Sequence, residues 1–286
     1  WKGDKGEAAT PNRPRSFDFT PEEVWNGQLA SDGKTQLCNG LLHDWVLWQE
    51  AGKPAFDDLV KVLDALSPSG VEKIRPGTPM RVGDSVKDLP SLRMPYGQDV
   101  PLIHASAGMR RIAALAYLLV WTWREHQLAY ERFRVSPARE IIFLIDEIEC
   151  HLHPQWQRRI VPALLNVMDA LTGSREVPVQ LLAATHSPLV LASVEPDFDP
   201  NNDCIWDFDL VDGEVRANLY PWSRKGDVNR SLGSEVFTLK EPASVQAEEA
   251  LAVARGFLRT TATTQQALTD EQRQHLQDID DKLPAS

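Results

Sequence analysis

Few features of this 286-residue sequence point to secretion, membranes or disulfide bonds. Its three cysteines, Cys38, Cys150 and Cys204, are spaced without pattern, which excludes a disulfide framework and fits a reducing compartment. The longest apolar run, Ile112–Trp123, is shorter than the roughly 20 residues that a bilayer-spanning helix needs. No signal peptide is recognisable. These absences predict a cytoplasmic protein with no membrane partner.

Positive charge is also scarce. The sequence has 30 Lys and Arg against 41 Asp and Glu, which gives a formal net charge of −11. Such a surface repels a phosphate backbone, so we expect DNA to be bound only through a complex with other proteins. Hydrophobic residues make up 42% of the chain, which is enough for a packed core and excludes global disorder.

A phosphate-binding loop of the form G-x-x-x-x-G-K-[ST] is missing. The nearest segment, Gly27–Thr35, reads GQLASDGKT, with five residues between the glycines instead of four and no buried strand before it. Because a phosphate cradle depends on loop geometry, we interpret this segment as a chance match. The chain begins with Trp1 and has no initiator Met. We therefore expect the true loop and the first strands to lie upstream of Trp1.

Apolar spacing predicts helices in the first half of the chain. Thr20 precedes Pro-Glu-Glu and is typical of a helix N-cap. Helical periodicity covers 41–50 and 56–66, and Pro and Gly divide 71–104 into short strands and turns. A long helix begins at Ser106, and its apolar content on almost every face predicts deep burial.

A strand–helix–strand unit follows. The solid apolar run Ile141–Ile145 predicts a central strand covered on both faces. Pro154–Leu171 is predicted as one helix, kinked at Pro162. Val179–Ala184 is the second buried strand, and the spacing predicts that the two strands are parallel.

Two adjacent carboxylates, Asp146 and Glu147, end the first of these strands. Ligands bind beyond the carboxyl ends of parallel strands, and successive residues point to opposite faces, so the two side chains have different tasks. Asp146 suits a Mg²⁺ ion, which prefers oxygen ligands and keeps its waters. Glu147 suits the general base that orients an attacking water. The alternative is a strand end with two solvated carboxylates.

Two further groups suit a phosphate. His186 follows the second strand and is expected at the same edge of the sheet, although a lone histidine is usually a packed or capped one. Ser106 and Gly108 lie at the start of the long helix, where free N–H groups and the helix dipole attract anions. Both are expected at a surface turn, and an ordinary Ser N-cap is the alternative.

These segments together resemble the heads of ABC-type ATPases. "ASAGMR" is similar to the signature motif, with Ala105 where many members have Leu and Ala107 where many have Gly; "FLIDEIECHLHPQWQ" is similar to the Walker B strand and the following loop; "ATHSP" is similar to the switch-histidine segment. The family includes SMC proteins, RecF-like repair ATPases, OLD-family proteins and AAA ATPases of bacterial defence. The resemblance covers about 98–194, and 225–237 is similar to the closing segment of the defence branch.

The resemblance implies an α/β fold, a P-loop NTPase of ABC-ATPase type with a parallel sheet flanked by helices and an inserted helical/β lobe. It implies ATP and Mg²⁺ as ligands and a head-to-tail dimer. In that dimer Ser106 and Gly108 act on the ATP of the other copy, and Arg110 or Arg111 lies at the phosphate edge or the dimer contact. The alternative for an arginine in the first turn of a helix is a surface salt bridge. Asp146, Glu147 and His186 act within their own chain. The implied roles are catalytic for Glu147 and His186, metal-binding for Asp146 and nucleotide-binding for Ser106, Gly108 and Arg110.

The predicted organisation has three parts. Residues 1–97 form the N-terminal part of the head with its insert, 98–240 form the ATPase core lobe, and 241–286 form a helical tail that starts its first polar helix near Val245. Within the core lobe, Asp212-Gly213 separates two alternating runs and predicts a β-hairpin.

Two motifs are set aside. Cys150, His151 and His153 invite a zinc site, but there is no second Cys/His cluster to complete a tetrahedron. Gln98 resembles a magnesium-sensing glutamine but lies close to the signature segment.

Two functions remain open. The first is an ATPase subunit that dimerises on ATP and gates an effector or nuclease partner in antiphage defence or DNA repair, inactive as this chain alone. The second is a degenerate head that binds or scaffolds a partner without hydrolysing ATP.

Overall fold

The structure, a computed structural model, describes residues 17–68, 73–84, 86–133, 140–173, 177–220 and Gln274. The chain divides into two compact units, Trp1–Val194 and Glu195–Ser286. The domain boundaries after 97 and 240 stay predictions, as does the inserted lobe. The segments 225–237 and Val245 onward, for which a closing motif and a helical tail were predicted, lie outside the described residues.

The described helices are α1 (Pro21–Asn26), α2 (Leu41–Glu50), α3 (Pro54–Leu66), α4 (Ala107–Phe133), α5 (Pro154–Gln157), α6 (Ile160–Thr172) and α7 (Pro188–Ser193), with a 3₁₀ turn at Leu102–His104. The described strands are β1 (Gln28–Leu29), β2 (Gln36–Cys38), β3 (Ser91–Arg93), β4 (Asp99–Pro101), β5 (Ile141–Ile145), β6 (Val179–Ala183), β7 (Ile205–Val211) and β8 (Glu214–Tyr220). β1 with β2, β3 with β4 and β7 with β8 form antiparallel pairs, and β5 with β6 forms a parallel pair.

The predicted start of α1 is confirmed in detail. The Thr20 hydroxyl accepts a hydrogen bond from the Glu23 backbone N–H at 3.2 Å, and the Glu23 carboxylate accepts one from the Thr20 backbone N–H at 2.8 Å. This reciprocal capping box satisfies two backbone donors that the first turn of a helix leaves without partners. α2 has the predicted bounds, and α3 begins slightly earlier than predicted, with Pro54 in its first turn.

The core of the first unit forms around α3 and α4. The predicted apolar stripe of α3 is buried, at 1% exposure or less for every member: Leu59, Val62, Leu63 and Leu66. This helix packs against both α4 and α6. The buried residues of α4 lie between Ile112 and Trp121, whereas Leu128 and Tyr130 near its end are exposed. The prediction that α4 is deeply buried is therefore wrong for its second half, where Arg124, Glu125 and other polar residues interrupt the apolar pattern.

The predicted kink at Pro162 is wrong. The segment forms two helices, and the helical structure is interrupted at Arg158–Arg159, before the proline. Pro162 lies in the first turn of α6, where a backbone N–H has no acceptor within the helix, so its missing donor has no consequence there.

β5 and β6 are parallel, as predicted, with Ile141 opposite Val179 and Ile145 opposite Ala183. One face of the pair packs against the core, through Phe143 and its neighbours. The other face is open: Ile142 is 52% exposed and Leu144 is 77% exposed. The prediction that β5 is covered on both faces is wrong for this chain. An apolar strand shows that both faces are suited to burial, but it does not show that the same chain supplies both covers.

The second unit contains the predicted hairpin. The turn residues Asp212 and Gly213 have φ values of 54° and 83°, and positive φ at both central positions is typical of the type I′ turn that matches strand twist.

No helix among the described residues is both long and apolar enough to cross a bilayer.

A buried polar cluster links α2, α4 and the end of β2. The Tyr117 hydroxyl donates to the Asp44 carboxylate at 2.9 Å and lies 3.0 Å from Cys38 Sγ. Asn39 donates to the second Asp44 oxygen at 2.8 Å. Burial, followed by the charge of Asp44, raises the pKa of the Tyr117 hydroxyl far above its ordinary value. The phenol is therefore a neutral donor that keeps a buried carboxylate satisfied.

Replacing Tyr117 with Phe tests this cluster. The variant leaves one Asp44 oxygen without its donor inside the core, so we expect the free energy of unfolding to fall by about 1–3 kcal/mol. Tyr130→Phe is the matched control, because it makes the same change on the same helix at an exposed position. Urea denaturation followed by circular dichroism measures both. Equal stability of the two variants would show that the cluster does not stabilise the fold.

Candidate functional site

The carboxyl ends of β5 and β6 lie side by side. Beyond the last paired residues, the Ala184 N–H donates to the Ile145 carbonyl at 2.9 Å and the Ile148 N–H donates to the Ala184 carbonyl at 3.2 Å. Two segments that are about 40 positions apart in sequence, 146–151 and 184–187, therefore run next to each other. The predicted shared edge for Asp146, Glu147 and His186 is confirmed, and all three residues are exposed there.

The backbone turns sharply at the carboxylate pair. Glu147 has a φ of 46°, in the left-handed region that few residues other than glycine adopt. Its N–H donates to the Asp146 carboxylate at 3.1 Å. This turn sets the direction of the Glu147 side chain, and the strand pattern of the sequence did not predict it.

Arg111 of α4 holds this turn. Its guanidinium donates to the Glu147 carbonyl and to the Cys150 carbonyl, each at 2.9 Å. The Glu147 carbonyl also accepts the Cys150 N–H at 2.9 Å, which closes the turn. Of the two arginines predicted at the phosphate edge or the dimer contact, Arg110 has an exposed side chain. A first-turn arginine gives no sequence signal that distinguishes a surface residue from one that reaches another loop.

Glu149 joins the turn to the end of β6. Its carboxylate accepts the Thr185 hydroxyl at 2.5 Å and the His186 N–H at 2.7 Å. Partial burial is the largest influence on this carboxyl and acts to raise its pKa. The hydrogen bonds from Thr185 and His186 together outweigh burial, so the pKa lies below its ordinary value. The sequence pattern alone does not indicate a role for Glu149.

The hydrogen bonds continue behind His186. Ser187 donates through its hydroxyl to Gln157 at 2.7 Å, and Gln157 donates to the Leu152 carbonyl at 2.9 Å. The Ser187 hydroxyl also accepts the Val190 N–H at 3.3 Å, which caps α7. The segment that carries His186 is thus fixed to the loop after β5 at two places.

The start of α4 lies against the same loop. The Ser106 hydroxyl accepts the Met109 N–H at 3.3 Å, which is an N-cap contact. A Cβ atom at Gly108 would lie 2.7 Å from the His151 carbonyl oxygen, closer than real contacts allow. The expectation that Gly108 occupies a free surface turn is therefore wrong, since this glycine is required for close packing of α4 on its own chain. His151 itself has a φ of 60°.

The nearest match to a phosphate loop has another structure. Gly27–Thr35 lies mostly in the turn of the β1–β2 hairpin and is followed by a strand, not a helix. The Asp32 carboxylate accepts the N–H groups of Lys34 and Thr35 and the Thr35 hydroxyl, at 2.6–2.9 Å. The Thr35 hydroxyl is the main cause, followed by the two N–H groups, of an Asp32 pKa lowered to about 2. A carboxylate of the chain thus occupies the donors that a phosphate would need.

The other motifs do not build a metal centre. Among the described residues, no group of three or more His, Cys, Asp and Glu side chains is arranged to hold a metal ion. Gln98 lies in the exposed turn between β3 and β4. Asp146 and Glu147 provide oxygen ligands of the kind that a hydrated Mg²⁺ accepts, so this edge fits magnesium better than a metal held only by protein.

The chain is similar to one protein family and to two named proteins. A family model described as "AAA domain, putative AbiEii toxin, Type IV TA system" matches residues 9–192. "Retron Vc95 probable ATPase" of Vibrio cholerae serotype O1 biovar El Tor is 33% identical over 168 residues, which are 56% of this chain and 28% of that protein. "Septu protein PtuA" of Bacillus mycoides (strain KBAB4) is 31% identical over 130 residues, which are 46% of this chain and 14% of that protein.

The chain spans less than a third of the length of either relative. Among solved structures, an SMC head domain from Thermotoga maritima aligns with 58% of this chain and 47% of its own at 15% identity. Its TM-score of 0.33 is too low to assign a fold. The family model covers more than half of the chain and agrees with the parallel strands and flanking helices of a P-loop NTPase. The chain belongs to the AAA-domain ATPase family described as "AAA domain, putative AbiEii toxin, Type IV TA system".

Proposed function

We propose that the complete protein is an ABC-type ATPase that dimerises on ATP and gates an effector in bacterial defence. The observation that carries this proposal is the shared edge of β5 and β6, where Asp146, Glu147 and His186 meet. Membership of the AAA family supports the ATPase class, and the retron and Septu names of the relatives support defence rather than DNA repair.

The carboxylates divide the chemistry between them. Glu147 accepts the proton of the water whose oxygen forms a bond to the γ-phosphorus of ATP, while the bond to the β-phosphate oxygen breaks and ADP leaves. Asp146 would hold Mg²⁺ through water, and the ion would supply positive charge to the phosphate oxygens. The exposed His186 donates to the γ-phosphate from the neighbouring strand end.

The start of α4 serves the second copy in a head-to-tail dimer. Its N–H groups and the Ser106 hydroxyl face the γ-phosphate of ATP bound to the partner, where the helix dipole favours an anion. Arg110 is exposed one turn further on and contacts the same phosphate edge or the partner surface. Gly108 acts indirectly, since its missing side chain lets α4 pack against the His151 carbonyl.

The partners of the complete protein are a second copy and an effector or nuclease protein. The net charge of −11 favours protein contacts over direct contacts with DNA. The dimer closes when ATP binds and opens after hydrolysis, so ATP turnover controls access of the effector to its target.

A scaffold that does not hydrolyse ATP is the second candidate. It follows if the complete protein has no other phosphate loop, because Asp32 accepts hydrogen bonds from the N–H groups and the hydroxyl of the segment that most resembles such a loop. A functional loop elsewhere in the complete protein separates the two candidates, since hydrolysis requires the backbone donors and the Lys that such a loop provides.

Replacing Glu147 with Gln tests the general base. The amide keeps the shape of the side chain and cannot take the proton, so we expect ATP affinity to stay and phosphate release to fall by about 100-fold or more. Glu140→Gln is the matched control, because Glu140 is exposed just before the opposite end of β5. Nucleotide binding and phosphate release are measured on the complete protein. Turnover at the parent rate in Glu147→Gln would remove Glu147 from catalysis.

Two substitutions at Ser106 test the contact with the partner's ATP. Asp and Asn both cap a helix and have the same size, but Asp adds a negative charge where the γ-phosphate is expected. The attraction between the helix N-terminus and the phosphate, about 0.3–2 kcal/mol, then becomes a repulsion. Ser106→Asp should therefore block ATP-dependent dimerisation, and Ser106→Asn should not. Light scattering after size exclusion, with the Glu147→Gln background to trap the closed state, measures the dimer. Equal dimerisation of the two variants would show that Ser106 is only a cap.

A further inference from the structure

The loop after β5 is held from two sides by residues that the proposed reaction does not use. We propose that Arg111 and Glu149 are positioning residues: Arg111 fixes the backbone of Glu147, and Glu149 fixes the backbone of His186. The inference rests on the proposed function, since it concerns how this chain aligns the groups that act on ATP.

The backbone conformation of Glu147 requires support from its neighbours. A glutamate with a φ of 46° occupies a sparsely populated region, which persists only when surrounding contacts determine it. Among the described contacts of this turn, Arg111 supplies two of the three hydrogen bonds to the carbonyls of Glu147 and Cys150. A planar guanidinium places two N–H groups at fixed spacing, and a lysine ammonium does not reproduce that fork.

Both carboxylate oxygens of Glu149 accept hydrogen bonds from the segment after β6. One carboxylate oxygen takes the His186 N–H and the other takes the Thr185 hydroxyl, so both residues are held relative to β5. The Thr185 hydroxyl oxygen then accepts the Ser187 N–H at 3.0 Å. An ionised carboxylate offers acceptors on both oxygens, whereas an amide in its place must turn a donor toward one of these partners. Glu149→Gln therefore changes the hydrogen bonds without emptying the space.

The loop after β5 is thus joined to two other elements of the chain at three places. Arg111 joins it to α4, the Gly108–His151 contact seats it on the first turn of α4, and Glu149 joins it to the end of β6. A displacement of His186 or Glu147 by about 1 Å is enough to slow a reaction by up to about 100-fold, because catalysis depends on near-attack geometry. Loss of either positioning residue should consequently reduce the rate of hydrolysis more than the affinity for ATP.

The test uses the complete protein and five variants, one of which, Arg111→Ala, serves a rescue experiment. Arg111→Lys keeps the charge and removes the fork, and Arg132→Lys makes the same exchange at an exposed position near the other end of α4. Glu149→Gln is matched by Glu140→Gln at an exposed position before β5. For each variant kcat and KM for ATP are measured separately, together with the melting temperature and the affinity for a non-hydrolysable ATP analogue.

We expect kcat to fall by about 10- to 100-fold in Arg111→Lys and Glu149→Gln, with KM and analogue affinity unchanged. The two controls should match the parent. As a second readout, guanidinium ion at low concentration should restore part of kcat in Arg111→Ala, because it can replace the missing donors. A residue that only stabilised the fold would lower the melting temperature and would not be rescued in this way.

A failure of this inference can be distinguished from a failure of the proposed function. A parent and controls that hydrolyse ATP, together with an unchanged kcat in both Arg111→Lys and Glu149→Gln, would overturn this inference and leave the proposed function intact. A drop in melting temperature without rescue of Arg111→Ala would also overturn it. A complete parent protein that binds ATP but never hydrolyses it would overturn the proposed function, and the inference with it.

Discussion

The parallel pairing of β5 with β6 is the constraint on which the site depends. Parallel strands end at the same edge, so the register that sets Ile145 opposite Ala183 also places the residues after them side by side. Hydrogen bonds from Ala184 and Ile148 extend this pairing beyond the strands. Asp146, Glu147 and His186 are close neighbours for that reason, although one strand, two helices and their loops separate them along the chain.

Two side chains next to the site hold its backbone in place through hydrogen bonds. Arg111 binds two carbonyls of the turn after β5, and Glu149 binds the His186 N–H. Arg111 connects the backbone of Glu147 to α4. Glu149 connects the backbone of His186 to the loop after β5. The arrangement leaves the side chains of Glu147 and His186 exposed while their backbones are fixed, as preorganised catalysis at the proposed site would require.

Local patterns predicted most of the elements, and long-range contacts explain the failures. The Thr20 cap, the α3 stripe and the Asp212-Gly213 turn depend on neighbours in sequence, and all three are confirmed. The open face at Leu144 was not predictable, because apolar composition does not say which chain covers a strand. Arg111 and Gly108 were singled out from the sequence, but their contacts with a loop about 40 residues away could not be predicted from spacing or residue type.

The most direct measurement of the central claim is the magnesium dependence of ATP binding in the complete protein. In the proposed site Asp146 holds the ion, at the edge formed by β5 and β6. Asp146→Asn keeps the size of the side chain and removes its charge, so the Mg²⁺ concentration at half-maximal ATP binding should rise, while binding of nucleotide without Mg²⁺ stays the same. An unchanged Mg²⁺ requirement in Asp146→Asn would contradict the account, because it would place the ion, and with it the chemistry, away from this edge.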